Sequence, residues 1–233
     1  MNKNTQNPTP VQRMAPRMNM HDALNHPEGD LAKLALIDND ISTALAAYGP
    51  PRDRSEAPGF ATLARVIIGQ QISTKAAAAV WSKICAAEFH LSHNAAIASI
   101  EALREHGLSQ RKAEYVKGLA EAIESGDLDL EALALMDGPD ITKTLVAIRG
   151  IGDWTADNYR LFVLADMDAW PYNDLALQEG MKILKSLNNR PDSKTMIKMG
   201  EDWRPHRGAG ALMLWHVYAQ HRHAATIADI KAD

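Results

Sequence analysis

Two short stretches of this chain carry residue types and spacings that could do chemistry. The first is "AIRGIGDWTA", Ala147 to Ala156, where Gly150 and Gly152 flank a single isoleucine between two apolar helical runs. Glycine at both ends permits backbone angles closed to other residues, so the turn can be tight and free of side chains. The amides of Gly150, Ile151 and Gly152, and of the next helix's first residues up to Thr155, would then point outward together, where a phosphate oxygen can accept them. Ile151 would tuck between the two helices. Alone, Gly-x-Gly between helices is also an ordinary αα-hairpin with glycine as a C-cap. The second stretch is "LADMDAWPYNDLALQEG", an acidic, proline-containing linker ending in Asp174 at the head of another helix. Asp174 is well placed as an N-cap, where the positive end of the helix dipole favours a carboxylate. It follows Trp154 by twenty residues, and a helix of about 13 residues is roughly 20 Å long. The linker must therefore double back if both side chains are to share a cleft, and Pro171 marks the expected bend. Asp166 and Asp168 compete as functional carboxylates but precede that bend.

The elements that would position these groups are almost all helical. Apolar residues recur at three- and four-residue spacing with no sustained period-two strand. About ten helices are expected, including "DNDISTALAAYG" closing on Gly49, "STKAAAAVWSKICAAEF" capped by Ser73, and "SQRKAEYVKGLAEAIESG" capped by Ser109. Residues 1–28 are polar, proline-bearing and aperiodic, and are expected to form a disordered arm; residues 29–233 form the helical domain. No apolar run approaches a bilayer span, so no membrane partner is expected. With no apolar core of a signal peptide, an intracellular, non-secreted protein is expected: cytoplasmic or nucleoid-associated, nuclear if eukaryotic. A single cysteine, Cys85, excludes a disulfide framework within the chain.

The net charge of −4 argues mildly against binding nucleic acid through a global positive field. Between Lys182 and Arg222, however, eight Lys or Arg face three acids, a local excess of five positive charges. That excess fits either a solvated helical surface or a polyanion-facing one.

"LVAIRGIGDWTADNYRLFVLADMDAWPYNDLALQEG" resembles the helix-hairpin-helix, glycine/proline-rich, aspartate motif of DNA glycosylases. "RVIIGQQISTKAAAAVW", "GLSQRKAEYVKGLA" and "WRPHRGAGALMLW" are similar to flanking segments of the DNA-3-methyladenine glycosylase II branch. The resemblance covers roughly residues 30 to 222. It implies an all-α fold of two helical subdomains with the DNA-binding hairpin at the cleft between them. The iron–sulfur cluster of some cousins is excluded by the lone cysteine.

The family's catalytic carboxylate falls on Asp174, which would stabilise oxocarbenium character on the sugar or activate water. Relatives that also cut the strand carry a lysine where this chain has Trp154, so a monofunctional enzyme without lyase activity is implied. Trp154 would instead offer a π-face to a flipped base, with Tyr172 as a second aromatic wall. Gln71 matches the position from which relatives insert a side chain into the vacated stack; Gln70 and Gln71 are alternatively helix-terminal polar residues. His206 and Asn158 fall where some relatives carry cage aromatics, which implies a more open pocket. Arg149 would add a phosphate contact. A structural monovalent cation (Na or K) would map to the backbone carbonyls of Val146, Ile148 and Ile151; no other cofactor is implied. The partner implied is double-stranded DNA with damaged bases, bound by a monomer. A catalytically silent DNA-structure reader using the same hairpin, and a sibling glycosylase for oxidised, mismatched or deaminated bases, are the competing readings.

Overall fold

A computed structural model describes residues 17–232, and among them the regular structure is entirely α-helical. The helices are α1 (Met20–Asn25), α2 (Asp30–Ile37), α3 (Asn39–Tyr48), α4 (Phe60–Gly69), α5 (Thr74–Ala86), α6 (Ser92–Ile97) and α7 (Ile100–Glu105). They continue as α8 (Gln110–Glu124), α9 (Leu130–Leu133), α10 (Gly138–Val146), α11 (Asp153–Phe162), α12 (Leu175–Leu184), α13 (Ser193–Glu201) and α14 (Arg207–Ala232). Side-chain oxygens cap many of them as the sequence suggests: Ser73, Ser109 and Asp38 each accept backbone amides at the starts of α5, α8 and α3.

Two hydrophobic cores divide the helices. One gathers Leu31, Leu34 and Ile41 from the start of the chain with Leu177, Met181, Met213 and Leu214 from its end. The other is built from residues 60–159, with Leu63, Ile67, Val116, Leu119, Ile141 and Leu145 at its centre. The chain's two ends thus form one half, and the middle is inserted as the other. Helix α11 belongs to both: Ala156 and Tyr159 pack in the inserted half, while Leu161 packs in the terminal half. In the terminal half, α12 and α14 cross so closely that a Cβ on Gly180 would lie 2.3 Å from the Leu214 carbonyl oxygen.

The disordered arm expected over residues 1–28 is not found over its described part. Residues 1–16 lie outside the described residues, but α1 falls within 17–28 and buries Met20, Ala23 and Leu24 in the terminal core. Those three residues have i, i+3, i+4 spacing, enough for one apolar face but too brief to register as a period. Arg17 reaches further, donating to the Met136 carbonyl at 2.9 Å. The short helix α6, opening on Ser-His-Asn, is likewise absent from the sequence pattern.

The basic excess of 182–222 is largely spent inside the protein. Lys185 bonds Asp38 (2.6 Å) and Asp40 (2.8 Å), and the Trp203 indole donates to the same Asp38 at 2.7 Å. Arg204 and Arg207 both grip Asp168, at 2.6 and 2.7 Å. These bonds fasten α3 to the end of α12 and the α11–α12 linker to the start of α14.

At the junction of the halves, Arg160 is shared. It binds Asp166 through Nε (2.9 Å) and Nη2 (2.8 Å), and its Nη1 donates to Thr142 (3.0 Å) and Asp157 (3.1 Å). With Arg160 already matched by Asp166, a second carboxylate in the same buried place is poorly compensated. Burial pushes the Asp157 carboxyl up to about 7; Arg160 and Arg207 oppose the rise, and Asp153 and Asp166 add to it. A carboxyl raised in the folded state adds stability that is full below its unfolded value near 3.8 and is lost as pH climbs through 7. Asp157→Asn does not titrate, so its stability relative to the wild type should rise by about 2 kcal/mol between pH 5 and pH 8. Paired thermal melts at the two pH values check this; a difference independent of pH would refute it.

Candidate active site

The hairpin between α10 and α11 is held from below. Gly150 has φ +99°, and a Cβ there would fall 2.4 Å from the Tyr115 ring, so both backbone conformation and space demand glycine. The Ile151 amide donates to the Ile148 carbonyl at 3.1 Å, and the Ile151 side chain is buried in the inserted core. Gly152 differs. It caps α11 without any side-chain bond, and a Cβ on it would meet nothing within 4 Å. Its bareness serves the outside, where the first amides of α11 begin a helix with an uncovered positive end. Arg149 stands beside this opening, 78% exposed, with its guanidinium 5.6 Å from the Tyr115 ring and 3.7 Å from Glu114.

Two residues expected on the DNA side face inward instead. Thr155 is buried, and Gln70 donates its side-chain amide to the Gly150 carbonyl (3.1 Å) and the Thr155 hydroxyl (3.3 Å). Both brace the hairpin against the end of α4. Lys112 braces the same end, donating to the carbonyls of Ile68 and Gln70 at 2.7 Å each. Gln71, next in the chain, has φ 59° and projects exposed from the α4–α5 turn, beside a groove of about 360 Å³ that Arg111, Lys112 and Tyr115 also line.

Past α11 the linker doubles back through a turn closed by the Asp174 amide on the buried Pro171 carbonyl (2.9 Å). This brings Asp174 to Trp154. The Trp154 indole Nε1–H donates to Asp174 Oδ2 at 2.9 Å. The Trp215 indole, from α14, donates to Oδ1 at 3.0 Å, and the Leu177 amide donates to the same oxygen at 2.8 Å as Asp174 caps α12. Three N–H donors from three helices hold one carboxylate, half-buried, at the edge of a cleft of about 480 Å³. Trp154, Asn158, Phe162, Trp215 and Arg54 are among its walls. Phe162 and Trp215 stack with centroids 5.6 Å apart and planes 26° from parallel. Asn158 donates to the Trp154 carbonyl, clipping the side of α11 that faces the cleft.

Tyr172 and His206 are not part of this cleft. Tyr172 turns toward Asp153, with its hydroxyl 3.4 Å from Oδ2, because the bend at Pro171 points it along the outside of α11. His206 binds Asp30 at 2.7 Å, tying the start of α14 to the first residue of α2. The aromatic wall expected of them comes from Trp215 and Phe162. In sequence these two sit within helices whose apolar neighbours make them look like core, and no spacing singles them out. Asp166 and Asp168 are neutralised by Arg160, Arg204 and Arg207, which leaves Asp174 as the one of these three aspartates that lines the cleft.

A glycine-turned helix hairpin leading through a bend to a capped carboxylate in an aromatic cleft between two helical halves defines a helix-hairpin-helix protein. The chain belongs to the HhH-GPD superfamily of base excision DNA repair proteins, whose pattern matches residues 64–205. It is similar to a putative DNA-3-methyladenine glycosylase of Bacillus subtilis, 37% identical over 113 residues that make up 48% of this chain and 39% of that protein. The crystal structure of a DNA-3-methyladenine glycosidase from Bacillus halodurans superposes with a TM-score of 0.75 at 29% identity, covering 84% of this chain and 93% of that one. A Schizosaccharomyces pombe 3-methyladenine DNA glycosylase in complex with abasic DNA gives 0.70 at 26% identity, over 80% and 94% of the two chains.

The two hairpin glycines should separate in mutagenesis. Gly150→Ala meets both a left-handed backbone and the Tyr115 ring, and should lose about 3 kcal/mol of stability. Gly152→Ala should fold with a loss of about 1 kcal/mol, that of a poorer N-cap. If the open amides at the start of α11 receive a DNA phosphate, its affinity for duplex DNA should nonetheless fall roughly tenfold, because the new methyl would stand in the way of that approach. Melting curves and a DNA-binding titration of the two variants decide the matter; unchanged binding by Gly152→Ala would remove the hairpin from the interface.

Proposed function

We propose that the protein is a monofunctional DNA glycosylase that removes alkylated purines such as 3-methyladenine from duplex DNA, acting as a monomer. The observation that carries this reading is the Asp174 carboxylate, fixed by the Trp154 and Trp215 indoles beside an aromatic cleft that can receive an everted base. Similarity to proteins named as 3-methyladenine glycosylases supports the choice of alkylated bases.

The chemistry follows from the geometry. Cleavage of an N-glycosidic bond leaves positive charge on the sugar, and a fixed carboxylate beside it stabilises that charge without reorganising. Oδ1 already accepts two donors and Oδ2 one, so Oδ2 retains more lone-pair capacity to face the sugar or to take a proton from attacking water. An N-alkylated purine carries its own positive charge and departs as a neutral base, so one carboxylate suffices. Stacking on Trp154 and the Phe162–Trp215 pair would hold such an electron-poor ring. With tryptophan at 154, no amine stands beside the sugar to form a Schiff base. The same reading gives the hairpin carbonyls of Val146, Ile148 and Ile151 a monovalent cation, sodium or potassium. Of these carbonyls, that of Ile148 also accepts the Ile151 amide at 3.1 Å. A cation there would complement the phosphate held by the amides.

Asp174→Asn tests the mechanism. Asparagine keeps the N-cap and the Trp215 bond through its one carbonyl oxygen but turns its NH2 toward the Trp154 indole. The fold should therefore survive with a loss of about 1–3 kcal/mol, and DNA affinity with it, while release of methylated purine should fall by about 100-fold or more. Wild-type rates in that variant would place the chemistry on another group and overturn the role given to Asp174. A panel of duplexes with single alkylated, oxidised or deaminated bases should show alkylated purines released fastest. Borohydride should trap no covalent enzyme–DNA adduct, and a trapped adduct would overturn the monofunctional assignment.

A further inference from the structure

The strap between α3 and α4 runs across the mouth of the cleft and carries a charged side chain that the proposed chemistry does not use. Pro50, Pro51 and Pro58 stiffen it, and it is fastened on both sides of Arg54. The Arg54 amide donates to the Met20 sulfur at 3.3 Å, and the Glu56 amide donates to the Phe162 carbonyl at 2.9 Å. Between them, Asp53 accepts the Ser55 amide (2.8 Å) and hydroxyl (2.6 Å), closing a local turn. A backbone anchored in this way delivers the Arg54 guanidinium to 4.7 Å from the Phe162 centroid and 5.5 Å from the Trp215 centroid. Burial of the guanidinium there lowers its pKa, and the negative charges of Glu56 and Asp174 oppose that fall.

We propose that Arg54 is a resident cation that gates the base pocket and sets its preference for positively charged bases. The inference rests on the glycosylase reading above. A base stacking on Phe162 or Trp215 must take the place of the guanidinium. A cationic base restores the cation–π attraction and the charge balance beside Asp174 and Glu56 that Arg54 gives up on leaving. A neutral base restores neither, so each undamaged base that enters the cleft pays the full loss. Such discrimination works against the wrong ligand and needs no added contact to the right one. Arg54 is an exposed residue, so its side chain has room to swing toward solvent while the strap stays in place.

The test compares wild type, Arg54→Ala and Asp174→Asn in single-turnover release of 7-methylguanine, a cationic base, and hypoxanthine, a neutral one, from matched duplexes. Arg54→Ala should raise hypoxanthine release relative to 7-methylguanine by roughly fivefold, and its melting temperature reports whether it folds. An unchanged ratio, or a shift toward 7-methylguanine, overturns the gate; the latter would make Arg54 a group that repels cations. Release of neither base by wild type would instead sink the glycosylase reading. The gate would then be judged by quenching of tryptophan fluorescence with free 7-methylguanosine and inosine. Arg54→Ala should gain affinity for inosine more than for 7-methylguanosine, and equal gains would refute the gate.

Discussion

Two indole N–H groups, one from the helix that links the halves and one from the last helix of the terminal half, meet on the two oxygens of Asp174. An indole nitrogen can only donate, so each needs an acceptor, and a half-buried carboxylate needs donors. Satisfying both demands at one point fixes the relation between α11, α12 and α14. Helix α11 then carries that relation into the inserted half through Ala156 and Tyr159. The cleft exists because these three helices cannot close further without crushing the carboxylate, nor open further without stranding it and its partners.

The hairpin that opens the same helix, directly before Trp154, is governed by a different economy. Gly150 is required from inside by the Tyr115 ring, whereas Gly152 is left open to the outside. Gln70 and Thr155, polar residues that look ready for a ligand in sequence, join Lys112 in holding the hairpin and the α4 end together. A surface that grips a phosphate by backbone amides needs those amides rigid, and polar side chains used as braces supply that rigidity.

What was legible in the sequence follows from this division. Glycine punctuation announced the hairpin, and a proline followed by an N-capping aspartate announced Asp174, because backbone constraints leave local marks. The two-halved all-helical fold was legible too, through periodicity and resemblance. That the chain's two ends make one half was not, since no local signal says which helices will share a core. Trp215 and Phe162 were hidden for the same reason: a ring on an apolar helix looks the same whether it faces a core or a cleft. Tyr172 misled because proximity in sequence to Asp174 does not set the direction of a side chain across a bend, and His206 because a position matched to a family's aromatic does not bring the same contacts to an imidazole that finds Asp30. Arg54 lies on an aperiodic strap, where only tertiary anchoring gives a side chain its target.

A net charge of −4 and a role on DNA are reconciled by where the basic residues are used. Much of the C-terminal excess is consumed as internal glue: Lys185 on Asp38 and Asp40, Arg204 and Arg207 on Asp168. Ion pairs of this kind neutralise charge where it is made and project little field. What remains near the proposed interface is local: the uncapped start of α11, Arg149 at its shoulder, and Arg111 with Lys112 along the groove beside Gln71. Attraction concentrated in a few fixed dipoles and charges favours one docking geometry over a general hold on polyanions. That suits the proposed function, in which the cleft is set over one nucleotide at a time.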